Sequence, residues 1–143
     1  MTMRSTWVRG MAAFAAAGLV LAACAPGGPK PTTAVTYRWV YSTGGIAGRR
    51  ITPQEQKLSV VYSFVSDSTL FVVKNGTVDT TRYHITKSTT PDGRDLIHYR
   101  RPVNVLPPFD TLQYYKKVGR DTLLLSDRCA DCYTHTFVRA SYY

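Results

Sequence analysis

Leu58-Ser59-Val60-Val61-Tyr62-Ser63-Phe64-Val65-Ser66-Asp67-Ser68-Thr69-Leu70-Phe71-Val72-Val73-Lys74-Asn75-Gly76 is the stretch that settles the fold class. Leu58, Val60, Tyr62 and Phe64 fall at every second position, which puts all four on one face of a strand. Ser66-Asp67-Ser68 turns the chain, and Thr69–Lys74 returns it as a second run rich in β-branched and aromatic residues. Asn75-Gly76 turns it again, because the tightest hairpin needs positive φ at both central residues. The pattern is that of consecutive antiparallel strands.

The same rhythm extends in both directions. The sequence predicts strands over residues 37–43, 57–65, 69–74, 78–86, 95–100, 111–117, 121–126 and 133–140, with turn signals about every 8–12 residues. Gly44-Gly45-Ile46-Ala47-Gly48 reads as a loop, and Pro91-Asp92-Gly93 as a turn. Residues 102–108 form a proline-interrupted connection. Thr52-Pro53-Gln54-Glu55 starts a helical turn, with Thr52 as N-cap, Pro53 in the first position and Glu55 closing a capping box. The expectation is an all-β domain, a small antiparallel up-and-down barrel of about eight strands. Closure is the way such a meander removes its exposed edges. A barrel of about eight strands is just wide enough to be filled by side chains or to hold one small ligand.

Upstream of the strands the character changes. Arg4 and Arg9 precede an apolar, alanine-rich run from Gly10 to Ala23. That run is roughly 14 residues, the length of a signal-peptide core, against about 20 for a membrane-spanning helix. It ends in Leu21-Ala22-Ala23-Cys24, which resembles the lipobox of bacterial lipoproteins. The resemblance implies a signal peptide over residues 1–23, cleavage before Cys24, and a diacylglyceryl cysteine with further acyl chains such as palmitate. Two or more chains anchor a protein stably to a membrane. Ala25 rather than an acid follows the cysteine, which by the sorting rule of two-membrane bacteria implies the outer membrane. Residues 24–36, with Pro26, Gly27, Gly28, Pro29 and Pro31, read as a flexible tether, and residues 37–143 as the folded domain.

The chain carries a net charge of +9, of which Arg4 and Arg9 leave with the signal, so the remainder carries +7. Export removes nucleic acid as a partner. Envelope lipids and acidic glycans are the remaining acidic partners, although the basic residues are spread rather than blocked.

Two segments together resemble small bacterial lipocalin-like proteins. One is Trp39-Val40-Tyr41-Ser42-Thr43 leading into Gly44-Gly45-Ile46-Ala47-Gly48. The other is Asp121-Thr122-Leu123-Leu124-Leu125-Ser126-Asp127 through Asp131, followed by His135-Thr136-Phe137-Val138-Arg139. In that family the first-strand tryptophan packs inside one end and an arginine of the last strand lies across it. The resemblance therefore implies a structural pair, Trp39 and Arg139, joined by cation–π attraction. Tyr37-Arg38 stands where the wider superfamily has a glycine two residues ahead of the tryptophan.

Chemistry-bearing residues are few. Cys129-Ala130-Asp131-Cys132 falls in a predicted turn, where a disulfide fits better than a redox thiol, which needs a helix N-terminus. Free thiols, or a metal completed by His135 with Asp127 or Asp131, remain alternatives. His84, His98 and His135 all lie in predicted strands, and alternation does not decide whether His84 and His98 face the lumen. Glu55 is the only glutamate, and no Gly-x-Ser-x-Gly or phosphate loop is present. The expectation is a protein that is not an enzyme and needs no cofactor or metal. Among its ten tyrosines, Tyr62, Tyr83, Tyr99 and Tyr114, together with Phe64, are candidates to line a ligand cavity. Two functions follow. One is a lipid-anchored envelope barrel holding a small hydrophobic or amphipathic ligand. The other is a filled barrel that acts as a structural or interaction lipoprotein.

Overall fold

A computed structural model describes residues 34–103, 105–106 and 110–140. The expected signal peptide, Cys24 and the tether up to residue 33 lie outside the described residues. Nine strands form one antiparallel sheet: β1 Val35–Gly44, β2 Arg49–Ile51, β3 Val60–Ser66, β4 Thr69–Lys74, β5 Thr77–Thr86, β6 Asp95–Tyr99, β7 Leu112–Val118, β8 Thr122–Ser126 and β9 Tyr133–Arg139. β1 pairs with β3, each later strand pairs with the next, and β9 returns to pair with β1. The result is a closed barrel of eight strands, as the hydrophobic alternation predicts. β2 is an addition, paired only with the far end of β1 from Ser42 to Gly44.

The local signals work as the chemistry requires. Asn75 and Gly76 take φ values of 48° and 83° in the β4–β5 turn. The Asn75 side chain also accepts from Ser59 N at 2.7 Å, tying the turn to the strand beside it. Thr52 and Glu55 form the reciprocal capping box of a short helix, α1 Pro53–Gln56. Lys57 then adopts the left-handed conformation, with φ 50°. That cap delays β3 to Val60, three residues later than the sequence predicts. β1 begins two residues early, at Val35, inside the segment expected as tether.

Register defines two ends. The start of β1, the β3–β4 and β7–β8 turns, the β5–β6 loop and the end of β9 meet at one end, which is open. The opposite end carries α1, the β4–β5 and β8–β9 turns and the long β6–β7 connection. Val103, Val105 and Leu106 of that connection are buried and plug it. The Tyr62 hydroxyl donates to the Val103 carbonyl, fastening the plug to β3. Between the ends the lumen is solid. Trp39, Tyr62, Leu70, Val72, Ile97, Leu123, Leu125 and Phe137 are each at most 1% exposed. Removing such side chains from water stabilises the fold by about 2 kcal/mol apiece.

Candidate functional site

Two features of the interior carry polar chemistry. The first lies toward the plugged end. Trp39 Nε1 donates to Ser42 Oγ at 2.9 Å, and Ser42 Oγ lies 2.6 Å from His135 Nδ1. His135 Nε2 lies 3.3 Å from Asp127 Oδ2. From the other side, Tyr99 donates to Gln113 Oε1 at 3.0 Å, and Gln113 Nε2 donates to Asp127 Oδ1 at 2.7 Å. The directions follow from the donors. An indole N–H can only donate, so Ser42 accepts it, and the direction of the Ser42–His135 bond follows the imidazole tautomer. An ionised carboxylate only accepts, so the His135 Nε2 hydrogen is the one that bonds Asp127. Both halves converge on one carboxylate, and every member named is satisfied.

Serine, histidine and aspartate in contact invite comparison with a nucleophilic triad, but the geometry differs. In hydrolases the serine bonds Nε2 and the acid holds Nδ1; here the two nitrogens are used the other way round. Ser42 and His135 are 0% exposed, and the indole of Trp39 caps the hydroxyl. No carbonyl can reach this oxygen. The arrangement locks β1, β6, β7, β8 and β9 together at the barrel's floor.

The second feature is the open end. Tyr37, Phe64, Tyr83 and Tyr115 project inward from alternate strands and, with Val35, Ile85 and Lys117, line a cup of about 240 Å³. Its walls are fixed by edge-to-face packing: Phe64 sits 6.0 Å from Tyr37 and 5.2 Å from Tyr83, with both interplanar angles 82°. Tyr83 donates to the Ser66 carbonyl at 2.8 Å. Burial raises the hydroxyl pKa of Tyr37, Tyr83 and Tyr115 above the ordinary phenol value, and the neighbouring Tyr37 and Tyr83 raise that of Tyr115 further. The three hydroxyls therefore remain neutral donors at physiological pH. Arg139 and Asp121 act electrostatically on Tyr37 from the rim.

No protein-family model, curated protein or solved structure matches this chain.

The sequence candidates divide between core and cup. Phe64 and Tyr83 line the cup. Tyr62 and Tyr99 face inward but are core, with their hydroxyls committed to Val103 and Gln113. Tyr114 does not face inward: it lies on the outer wall with the Arg94 guanidinium 4.2 Å over its ring. Its neighbours Gln113 and Tyr115 are the buried pair of β7. The inversion has a physical cause, since the buried glutamine is the bridge between Tyr99 and Asp127. Tyr37 and Tyr115 are cup residues that the sequence reading did not single out. A signal existed for Tyr37, two positions before Trp39 and so on the same face.

Trp39 is buried as the resemblance implies, but its cross-strand partner is Phe137, while Arg139 stands opposite Tyr37 and is exposed. The register therefore does not set Trp39 and Arg139 opposite one another. Cys129 and Cys132 are paired across the β8–β9 turn with Cα atoms 5.2 Å apart, inside the span a disulfide covers. His84 and His98 face outward as a cross-strand pair, their rings stacked at 4.3 Å. Among the described residues, no cluster of three or more His, Cys, Asp or Glu side chains could hold a metal.

Proposed function

We propose that this chain is an exported, lipid-anchored envelope lipoprotein whose barrel holds one small apolar or amphipathic ligand at its open end. The observation that carries the binding reading is the aromatic cup above an otherwise solid lumen. Its walls offer apolar surface, and the hydroxyls of Tyr37 and Tyr115 offer oriented donors, the combination by which small-molecule sites fix both affinity and pose. The anchor rests on the sequence: a basic start, an apolar run and Leu21-Ala22-Ala23-Cys24. The resemblance to small bacterial lipocalin-like lipoproteins agrees with both. On this reading the protein is non-catalytic, and its one serine–histidine–aspartate contact is structural.

Native mass spectrometry of residues 31–143, purified gently from cells, tests the binding reading. A discrete adduct that leaves on denaturation is the expected result. A clean mass, together with failure to take up added fatty acids or hydrophobic dyes, would leave a filled barrel that acts through its surface. That second reading is favoured by the eight core side chains that occupy the lumen below the cup. Labelling with palmitate tests the anchor, and Cys24→Ser should abolish the label.

A further inference from the structure

The cup does not end at its rim. A cleft of about 400 Å³ opens beside it between β5, β6 and β7, lined by Ile85, Lys87, Asp95, Tyr115, Lys116 and Lys117. Ile85, Tyr115 and Lys117 line both spaces, so the two adjoin along a shared wall. Their chemistry differs. The cup is lined mainly by aromatic and aliphatic side chains, with Ser66 and Asp67 of the β3–β4 turn and Lys117 completing it. The cleft is lined by three lysines and one aspartate, and Lys87 sits 2.7 Å from Asp95, neutralising it. Lys116 is held in place by the Asp92 carbonyl at 2.8 Å. Lys116 and Lys117 also line the cleft, and neither forms an ion pair among the described residues.

We infer that the ligand of this site is an anionic amphiphile, its apolar part in the aromatic cup and its phosphate, sulfate or carboxylate head in the lysine cleft. The inference rests on the binding reading above and adds the class of ligand. A neutral ligand would gain nothing from the cleft. A free inorganic anion would gain nothing from the cup. A cationic head would meet Lys116 and Lys117 and be repelled. Only a molecule with an apolar body and an anionic end uses both halves, and Tyr115 and Lys117 at the junction present donors to the point where body meets head.

The test is a matched series of one-chain compounds bound to residues 31–143, whose strands close on one another within residues 35–139. Octyl phosphate, octyl glucoside and octyltrimethylammonium share a tail and differ in the head, and inorganic phosphate supplies the head alone. Titration calorimetry below the micelle concentrations should show octyl phosphate binding about tenfold tighter than the other two octyl compounds, the effect of two partly exposed ion pairs. Replacing both lysines (Lys116→Gln with Lys117→Gln) should erase that margin and leave the octyl glucoside affinity unchanged. If the three heads bind alike, the inference fails while the apolar cup stands. If inorganic phosphate binds as tightly as octyl phosphate, the cup takes no tail and the inference also fails. If no octyl compound binds, the inference and the binding reading fall together.

Discussion

Ser42 shows how much one small side chain can hold. It joins the indole of Trp39 to the imidazole of His135 across 93 residues of sequence. Ser42→Ala would leave the buried indole N–H and the buried imidazole Nδ1 facing nothing, at a cost of about 1–3 kcal/mol. Chemical denaturation should show that loss with an unchanged slope, and a cost below about 0.5 kcal/mol would mean that water takes the hydroxyl's place. Gly44, two residues on, is constrained by contact rather than by conformation. A Cβ there would meet the Cys132 carbonyl oxygen at 2.3 Å and the Tyr133 Cα at 2.7 Å. Both are backbone atoms where the closing strand begins, Cys132 just before β9 and Tyr133 its first residue, so they cannot swing aside. Gly44→Ala should therefore cost about 1–3 kcal/mol, as overpacking does, and unfolding by heat would register it. The sequence displays Ser42, Asp127 and His135 individually, but nothing local links them. Ser42 reads as a strand residue, Asp127 as a turn residue and His135 as one histidine of three. The β8–β9 hairpin sets Asp127 beside His135, but only ring closure brings Ser42 to them, which is why the whole floor was not legible.

At the scale of the element, the readable signals were those whose physics is local. Alternation at Leu58, Val60, Tyr62 and Phe64 fixed the inward face of β3, and Asn75-Gly76 fixed the hairpin after β4. Gly76→Ala separates conformational cost from contact. No atom lies within 4 Å of the added Cβ, and φ is +83°. The penalty is then purely that of a left-handed backbone, about 1 kcal/mol, below that at Gly44. A larger loss at Gly76 than at Gly44, compared in the same denaturant series, would contradict the assignment of the two costs. Alternation failed on β7 because it takes hydrophobicity as the mark of burial. Gln113 is 1% exposed and Tyr114 is half-exposed. The glutamine faces inward because Tyr99 and Asp127 satisfy both ends of its amide, and such partners belong to other strands. The lysine cleft was hidden for the same reason. Lys87 and Lys116 belong to separate segments, and only the register of β6 between β5 and β7 sets them side by side.

At the scale of the whole molecule, closure is what turns these local pieces into one cooperative unit. Eight predicted strands imply a barrel, but not whether its lumen is empty, because lumen and core present the same inward aromatics to the sequence. The structure divides them by depth: Tyr62 and Tyr99 in the core, Tyr37, Tyr83 and Tyr115 at the cup. That division has a pH signature. Burial raises the hydroxyl pKa of Tyr62 and Tyr99 well above the ordinary value of 10.0, and the nearby Asp127 charge adds to it for both. A group whose pKa is raised in the folded state contributes its full stabilisation below its unfolded value and loses it as pH rises above that value. Below about pH 10 these tyrosines are neutral in both states and impose no pH dependence. Above it, the unfolded chain releases their protons while the folded barrel holds them. Stability should then fall by about 1.4 kcal/mol per pH unit for each buried tyrosine. Tyr62 also clamps the Val103 plug, so its ionisation requires the plugged end to open. The expected record is a tyrosinate step belonging to Tyr62 and Tyr99, isolated as the difference from Tyr62→Phe and Tyr99→Phe, that rises together with loss of far-ultraviolet dichroism. Tyrosinate from Tyr62 and Tyr99 appearing ahead of unfolding would mean that solvent reaches the floor of the barrel, and that the lumen is an open pocket rather than a packed core.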